Sequence, residues 1–284
     1  MITMLFFFVH SLVSNKTILK IYSIALLTTG MMFLVFLYLN QSFDGHFWQS
    51  MQQSKSALCA EYCELDQPTH FFRQTINSYS NLMYFFLGVI VIAVAIYDLT
   101  DKRANKNPLQ RFPALSFLFG VCLLYLCFGS TFFHASLTWL GQRVDMNATY
   151  SICLTLIGIS SYRYYIKQTE NIANKAVIII GLISLIFLFI PLHLLVSSSI
   201  LLPLLISIAV FFVAKNYTNN KEKYKLHFAI LSLLLVIGAF ILRTLDVKKI
   251  VCNPTSIYQA HALWHVFTGM SAFLLYWFYR SEQA

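Results

Sequence analysis

Charge is scarce along this chain. Lys, Arg, Asp and Glu make up 11% of its 284 residues, against 58% hydrophobic and 16% aromatic. Soluble domains carry about a quarter charged residues. So thin a polar complement excludes a water-soluble globular domain and points to lipid as the solvent. Negative charge is rarer still, with eleven acidic against twenty basic residues and a net charge of +9. The basic residues fall between apolar segments and form no patch, which excludes a nucleic-acid partner and fits charges flanking membrane spans. Internal repeats, Gly/Ser linkers and low-complexity tracts are absent, so one domain is expected. The cysteines lack zinc-finger spacing. The apolar start, Met1 to Val13, has no basic residues before it. It reads as an interfacial segment or an early start, not as a cleavable signal peptide.

What the chain does have is long apolar runs. A helix needs about 20 residues to cross a bilayer core. Eight stretches approach that length: Leu19 to Leu39, Ile76 to Tyr97, Pro113 to Ala135, Asp145 to Ile166, Ala176 to Leu194, Ser197 to Ala214, Leu226 to Leu245 and Ile257 to Tyr279. The fifth and sixth, joined near Val196, are expected to form a hairpin. The first is an added anchor, and the other seven form the functional unit. The fold class is therefore all-α integral membrane, with a seven-transmembrane-helix core and one extra N-terminal transmembrane helix.

Orientation follows from Lys and Arg. With Lys102, Arg103, Lys106 and Arg111 in the cytoplasm, Lys16, Lys20, Arg163, Lys167, Lys175, Lys215, Lys221, Lys223, Lys225 and Arg280 fall on the same side. The C-terminus is then cytoplasmic. The polar segment Asn40 to Gln74, with Glu61, Glu64 and Asp66, lies on the outer, non-cytoplasmic side. Asn216 to Lys225 is read as a solvated cytoplasmic connector.

Titratable residues near the ends of membrane helices are functional candidates. The third span runs outward and ends with Ser130 and His134 one turn apart, on one face. The fourth begins on that side at Asp145. The eighth begins there with His261 and His265, again one turn apart. Two histidines at this spacing give a metal two ligands from one rigid element. A third from a neighbouring helix leaves a coordination position open, as catalytic zinc sites do. His10, His46, His70, His193 and His227 read as amphipathic residues at the interface. Trp264 reads as an interface anchor.

These residues resemble the alkaline ceramidases, a branch of a membrane-hydrolase superfamily that includes the adiponectin receptors. Ser130-Thr-Phe-Phe-His134-Ala-Ser-Leu followed by Gln142-Arg-Val-Asp145 is similar to one family motif. Arg243-Thr-Leu-Asp246, Cys252, His261-Ala-Leu-Trp-His265 and Thr268-Gly269 are similar to the carboxy-terminal one. Glu61-Tyr-Cys63-Glu64-Leu-Asp66 and Gln74-Thr-Ile-Asn77-Ser-Tyr-Ser80-Asn81 resemble the amino-terminal signature. The likeness runs in register over residues 59 to 280, leaving 1–58 as an N-terminal segment and 281–284 as a tail.

The resemblance implies a seven-helix enzyme that cleaves the amide of ceramide, or of a related N-acyl sphingolipid, to a sphingoid base and a fatty acid. It implies zinc on His134, His261 and His265, Asp145 to position or deprotonate the attacking water, and Ser130 to stabilise the oxyanion. A long-chain, ceramide-like membrane lipid would enter between helices, and no protein partner is inferred. It further implies calcium at Glu61, Tyr62 (through its carbonyl), Glu64, Asp66 and Gln74, three of them carboxylates suited to a hard cation. The family usually has a carboxylate where Gln74 stands, Asn at Asp66, and Glu at Met146. Cys63 and Cys252 lie in expected outer loops, where an oxidising exterior permits a disulfide that the family pattern also suggests; Cys59 competes for the pairing. Open alternatives are a hydrolase of another lipid amide or ester, a non-enzymatic receptor or scaffold with structural zinc, and a transporter. A transporter would place its polar groups at the midplane. A purely structural zinc would not need Asp145 and Ser130.

Overall fold

The computed structural model describes residues 15–100, 107–165, 197–219 and 221–283, together with Gly181. The expected span Ala176 to Leu194 and its link near Val196 lie outside the described residues, as do His10, His193 and the start Met1 to Val13.

The described residues form α1 (Asn15–Ser42), α2 (Thr75–Ser80), α3 (Leu82–Thr100), α4 (Pro113–Ser136), α5 (Trp139–Tyr165), α6 (Ser198–Asn219), α7 (Leu226–Val247) and α8 (Ala260–Arg280), besides shorter turns. Only isolated bridges, Asp44 with His70 and Gln53 with Thr138, represent β structure among them. The protein is an all-α membrane protein. α1, α2 with α3, α4, α6 and α7 are long and apolar enough to cross a bilayer. α5 (27 residues) and α8 (21 residues) match them in length. They fall short in hydropathy because they carry polar residues: Gln142, Arg143, Asp145 and Asn147 in α5, His261 and His265 in α8.

Two spans depart most from the hydropathy reading. α5 begins at Trp139, not Asp145, because Thr138 accepts the Gly141 N–H (3.1 Å) as a cap. The polar first turns hide that start from any apolar-run criterion, and Asp145 sits inside the helix. The span expected from Ile76 is broken at Asn81 into α2 and α3. Its first turn, α2, lies under the site.

α3 and α4 approach closely at Gly88 and Gly120. A Cβ on Gly120 would lie 2.6 Å from the Ile92 side chain and 3.1 Å from the Gly88 carbonyl. Small residues are how membrane helices approach without a hydrophobic driving force. α8 runs through the core, with Phe273, Tyr276, Trp277 and Phe278 buried and Tyr276 stacked on Phe119 (5.3 Å between centroids). At its C-terminal end the buried Arg280 guanidinium is held by Asp98 (2.5 and 2.7 Å), and the Arg280 carbonyl accepts from Asn107 (2.5 Å). Arg163 pairs there with Glu282. This end is held by ion pairs, and the opposite end gathers His134, His261 and His265.

The α3–α4 crossing gives a direct test. Gly120→Ala is expected to lower thermal stability by about 1–3 kcal/mol through overpacking. Gly30→Ala, where a Cβ meets nothing within 4 Å, should leave stability unchanged or raise it slightly. Equal unfolding midpoints for the two variants in detergent would refute the close approach.

Candidate metal centre and the loop beside it

The site begins at the C-terminal end of α4. A helix leaves its last carbonyls unpaired, and in a membrane they need partners from the protein. The segment before α2 supplies them: Gln74 N–H donates to His134 O (3.0 Å) and Arg73 N–H to Ala135 O (3.2 Å). The Arg73 side chain adds a bond to Ser136 O (3.3 Å). Leu137 turns the chain out of the helix in the left-handed region (φ 52°), and its carbonyl accepts from Ser54 N–H (3.0 Å). A non-glycine residue keeps that conformation only where its surroundings hold it.

Fixed in this way, His134 meets His261 and His265 from the first turns of α8. Ring centroids are 4.9 Å (His134–His261), 5.1 Å (His134–His265) and 4.7 Å (His261–His265) apart. All three are buried, and one ring nitrogen from each lies within 4.8 Å of the others, a group that could hold a metal ion. Neighbours set the tautomers. Gln74 Oε1 can only accept, so His134 Nδ1 (2.7 Å away) must carry the hydrogen. Ser80 donates its hydroxyl hydrogen to Asn77 O (2.7 Å), so it accepts from His265 Nδ1 (2.7 Å). Both rings therefore turn a lone pair on Nε2 inward. His134 Nε2 and His261 Nδ1 are buried with no hydrogen-bond partner. Nitrogens of this kind fit a zinc-type cation, and partners on the far ring nitrogen are how proteins orient metal-ligating histidines.

Ser130 lies one turn before His134, its Oγ 3.5 Å from His265 Nε2, and it shares a cavity wall with Asp145. Ser130, Asp145, Arg243, His261 and His265 face a cavity of about 300 Å³. Tyr84, Leu126, Thr149, Leu202, Phe240 and Trp264 line it and also a second, almost wholly apolar cavity of about 410 Å³. The second cavity reaches Tyr217 and Leu226 at the other end of α6 and α7. Trp264 is thus part of the wall between site and membrane interior, packed edge-on against Phe240 (5.1 Å).

The acidic loop lies against the same histidines. The Tyr62 ring packs on His261 (4.2 Å) and on His134 (5.3 Å). A disulfide joins Cys63 to Cys252, while Cys59 is an exposed free thiol. Glu64 is buried and accepts from Ile76 N–H (2.6 Å) and Asn77 N–H (2.8 Å) at the start of α2. Burial pushes its carboxyl up to about 7, against the lowering effect of those two N–H groups. Asp66 is held by both Arg73 nitrogens (2.8 and 2.5 Å). Glu61 pairs with Arg243 (3.3 Å), and Lys249 donates to the Tyr62 carbonyl.

A family model described as Ceramidase matches residues 55–282 of the chain. No curated protein matches it.

The structure brings Ser130, His134, Asp145, His261 and His265 together, with the loop from Glu61 to Gln74 beside them. Sequence reasoning missed the roles of Gln74 and Ser80 around the ring nitrogens. Their partners lie 60 and 185 residues away in the chain, and no local spacing reports such a contact. Gln74→Ala and Ser80→Ala should each weaken the binding of a divalent metal ion at the histidines by about 10–100-fold, read by competition with a chromophoric chelator. Affinity equal to that of the unmodified protein in both variants would show that these bonds do not orient the ligands.

Proposed function

The chain belongs to the ceramidase family, and from that premise we propose that it is a zinc-dependent intramembrane amidohydrolase. Its substrate on this reading is ceramide or a related N-acyl sphingolipid, cleaved to a free sphingoid base and a fatty acid. The observation that carries the proposal is the buried His134, His261 and His265 group, of which His261 and His265 face a cavity shared with Ser130 and Asp145.

The three histidines would hold the ion. Bound zinc supplies Lewis acidity, which acidifies water and polarises an amide carbonyl. Asp145 is half-buried on the cavity wall. It takes the proton of the attacking water and returns it to the leaving amine. Ser130 shares the cavity wall with Asp145 and lies beside His265, and its hydroxyl can donate to the carbonyl oxygen as charge builds there. A structural metal needs neither group.

The adjoining apolar cavity supports a lipid substrate. It shares its walls with the polar cavity and extends along α6 from Leu202 to Thr218, so one hydrocarbon chain can lie within the helices while the amide stays at the histidines. Apolar cavities with a few convergent polar groups are the usual form of ligand sites. On the positive-inside argument, Arg111, Arg163, Lys221, Lys223 and Arg280 mark the cytoplasmic end. The active site then faces the non-cytoplasmic side and the C-terminus the cytoplasm.

Purified protein given ceramides of varied acyl length, other N-acyl lipids and lipid esters should release fatty acid from ceramides. Asp145→Asn should lower kcat by about 10²–10⁴-fold while keeping its metal, and Ser130→Ala by about 10²–10³-fold. No hydrolysis of any N-acyl lipid, or full turnover in Asp145→Asn, would overturn the proposal. Cleavage confined to esters or to non-sphingoid amides would move the substrate class.

A further inference from the structure

We propose that the loop from Glu61 to Gln74 is held by the protein's own cations and backbone N–H groups in the place of a calcium ion. The calcium that the family resemblance implies does not fit the donors present.

Calcium takes six to eight oxygens at about 2.3–2.6 Å. Most of the oxygens offered by this loop are already directed elsewhere. Asp66 presents both carboxylate oxygens to Arg73, in the bidentate geometry that makes guanidinium–carboxylate pairs strong (2.8 and 2.5 Å). Glu64 uses one oxygen on Ile76 N–H and the other on Asn77 N–H (2.6 and 2.8 Å). The Tyr62 carbonyl accepts from the Lys249 ammonium. Glu61 pairs with Arg243. Gln74 contributes no charge, and its Oε1 accepts from His134 Nδ1 (2.7 Å). A calcium shell would compete with these bonds, including one that fixes a candidate zinc ligand.

Charge balance points the same way. A divalent cation neutralises two carboxylates at one point, whereas this chain brings three unit charges from three places: Arg73 before α2, Arg243 on α7 and Lys249 just after it. Lys249 lies in the left-handed region (φ 56°), as does Val251 (φ 56°), one residue before the disulfide-bonded Cys252. That turn brings the ammonium back over Tyr62, which packs on two of the histidines. The loop beside the metal centre is therefore ordered without a second metal, and its order does not follow calcium concentration. This assignment is independent of which lipid is cleaved.

The test uses the full chain, purified with its native metal content. Equilibrium dialysis against radiolabelled calcium runs to about 10 mM, above the ~10⁻³ M range of the weakest protein calcium sites, with thermal unfolding followed over the same range. The expected result is no saturable binding and an unmoved midpoint. Stoichiometric, saturable calcium with a rising midpoint overturns the proposal. The double variant Gln74→Glu/Lys249→Ala restores a carboxylate and frees the Tyr62 carbonyl. It should bind calcium saturably and gain a few degrees in midpoint as calcium is added. A folded double variant that ignores calcium refutes the role given to these two side chains.

Discussion

Backbone carbonyls left open at the C-terminal end of α4 set where His134 can stand. In hydrocarbon, an unpaired carbonyl costs several kcal/mol, so the end of a membrane helix must be closed by the protein itself. Arg73 and Gln74 close it with their N–H groups. The same two residues then use their side chains on either side of that contact. Arg73 reaches Asp66, and Gln74 reaches the ring of His134. Helix termination, loop anchoring and ligand orientation are one connected set of bonds, and a change in any of them moves the imidazole.

From that fixed point the chemistry follows by proximity. α8 presents two histidines one turn apart, and α4 presents a third with Ser130 one turn before it. α5 supplies Asp145 across the cavity. Each element is rigid, so the constellation does not depend on a mobile loop. The most polar long helices, α5 and α8, supply Asp145 and two of the three histidines. The apolar helices around them provide the lipid-facing surface and the hydrocarbon-lined cavity. α1 adds a brace from outside residues 55–282, where Phe36 packs on Phe72 (5.2 Å) and Asn40 accepts from Phe72 N–H (3.2 Å). It supports the segment that caps α4.

Much of this was legible in the sequence, for identifiable reasons. Apolar runs locate membrane helices because lipid admits little else, and the pairs Ser130/His134 and His261/His265 share faces because helical periodicity is local. The family resemblance rests on those same residues. The α5 start was not legible, since its first turns are as polar as a loop and its cap, Thr138, leaves no apolar signature. Nor were the partners of Gln74, Ser80 and Lys249, which meet their targets only through tertiary structure. Trp264 illustrates the limit: its position near a helix start is equally compatible with an interface anchor and with the cavity wall it forms.

The acidic loop shows how a shared pattern can hide different physics. Carboxylates at metal-ligand spacing invite a hard cation, yet guanidinium, ammonium and helix N–H groups satisfy the same oxygens when the fold brings them near. Among the described residues, no Lys or Arg is bonded to a ring nitrogen of the histidine group. His134 Nε2 and His261 Nδ1 lack hydrogen-bond partners, while Gln74 and Ser80 occupy Nδ1 of His134 and of His265. Elemental analysis of the purified chain tests this claim most directly. The account predicts about one zinc ion per chain, lost on His134→Ala. A protein without stoichiometric zinc, or one whose zinc survives the loss of His134, would contradict it.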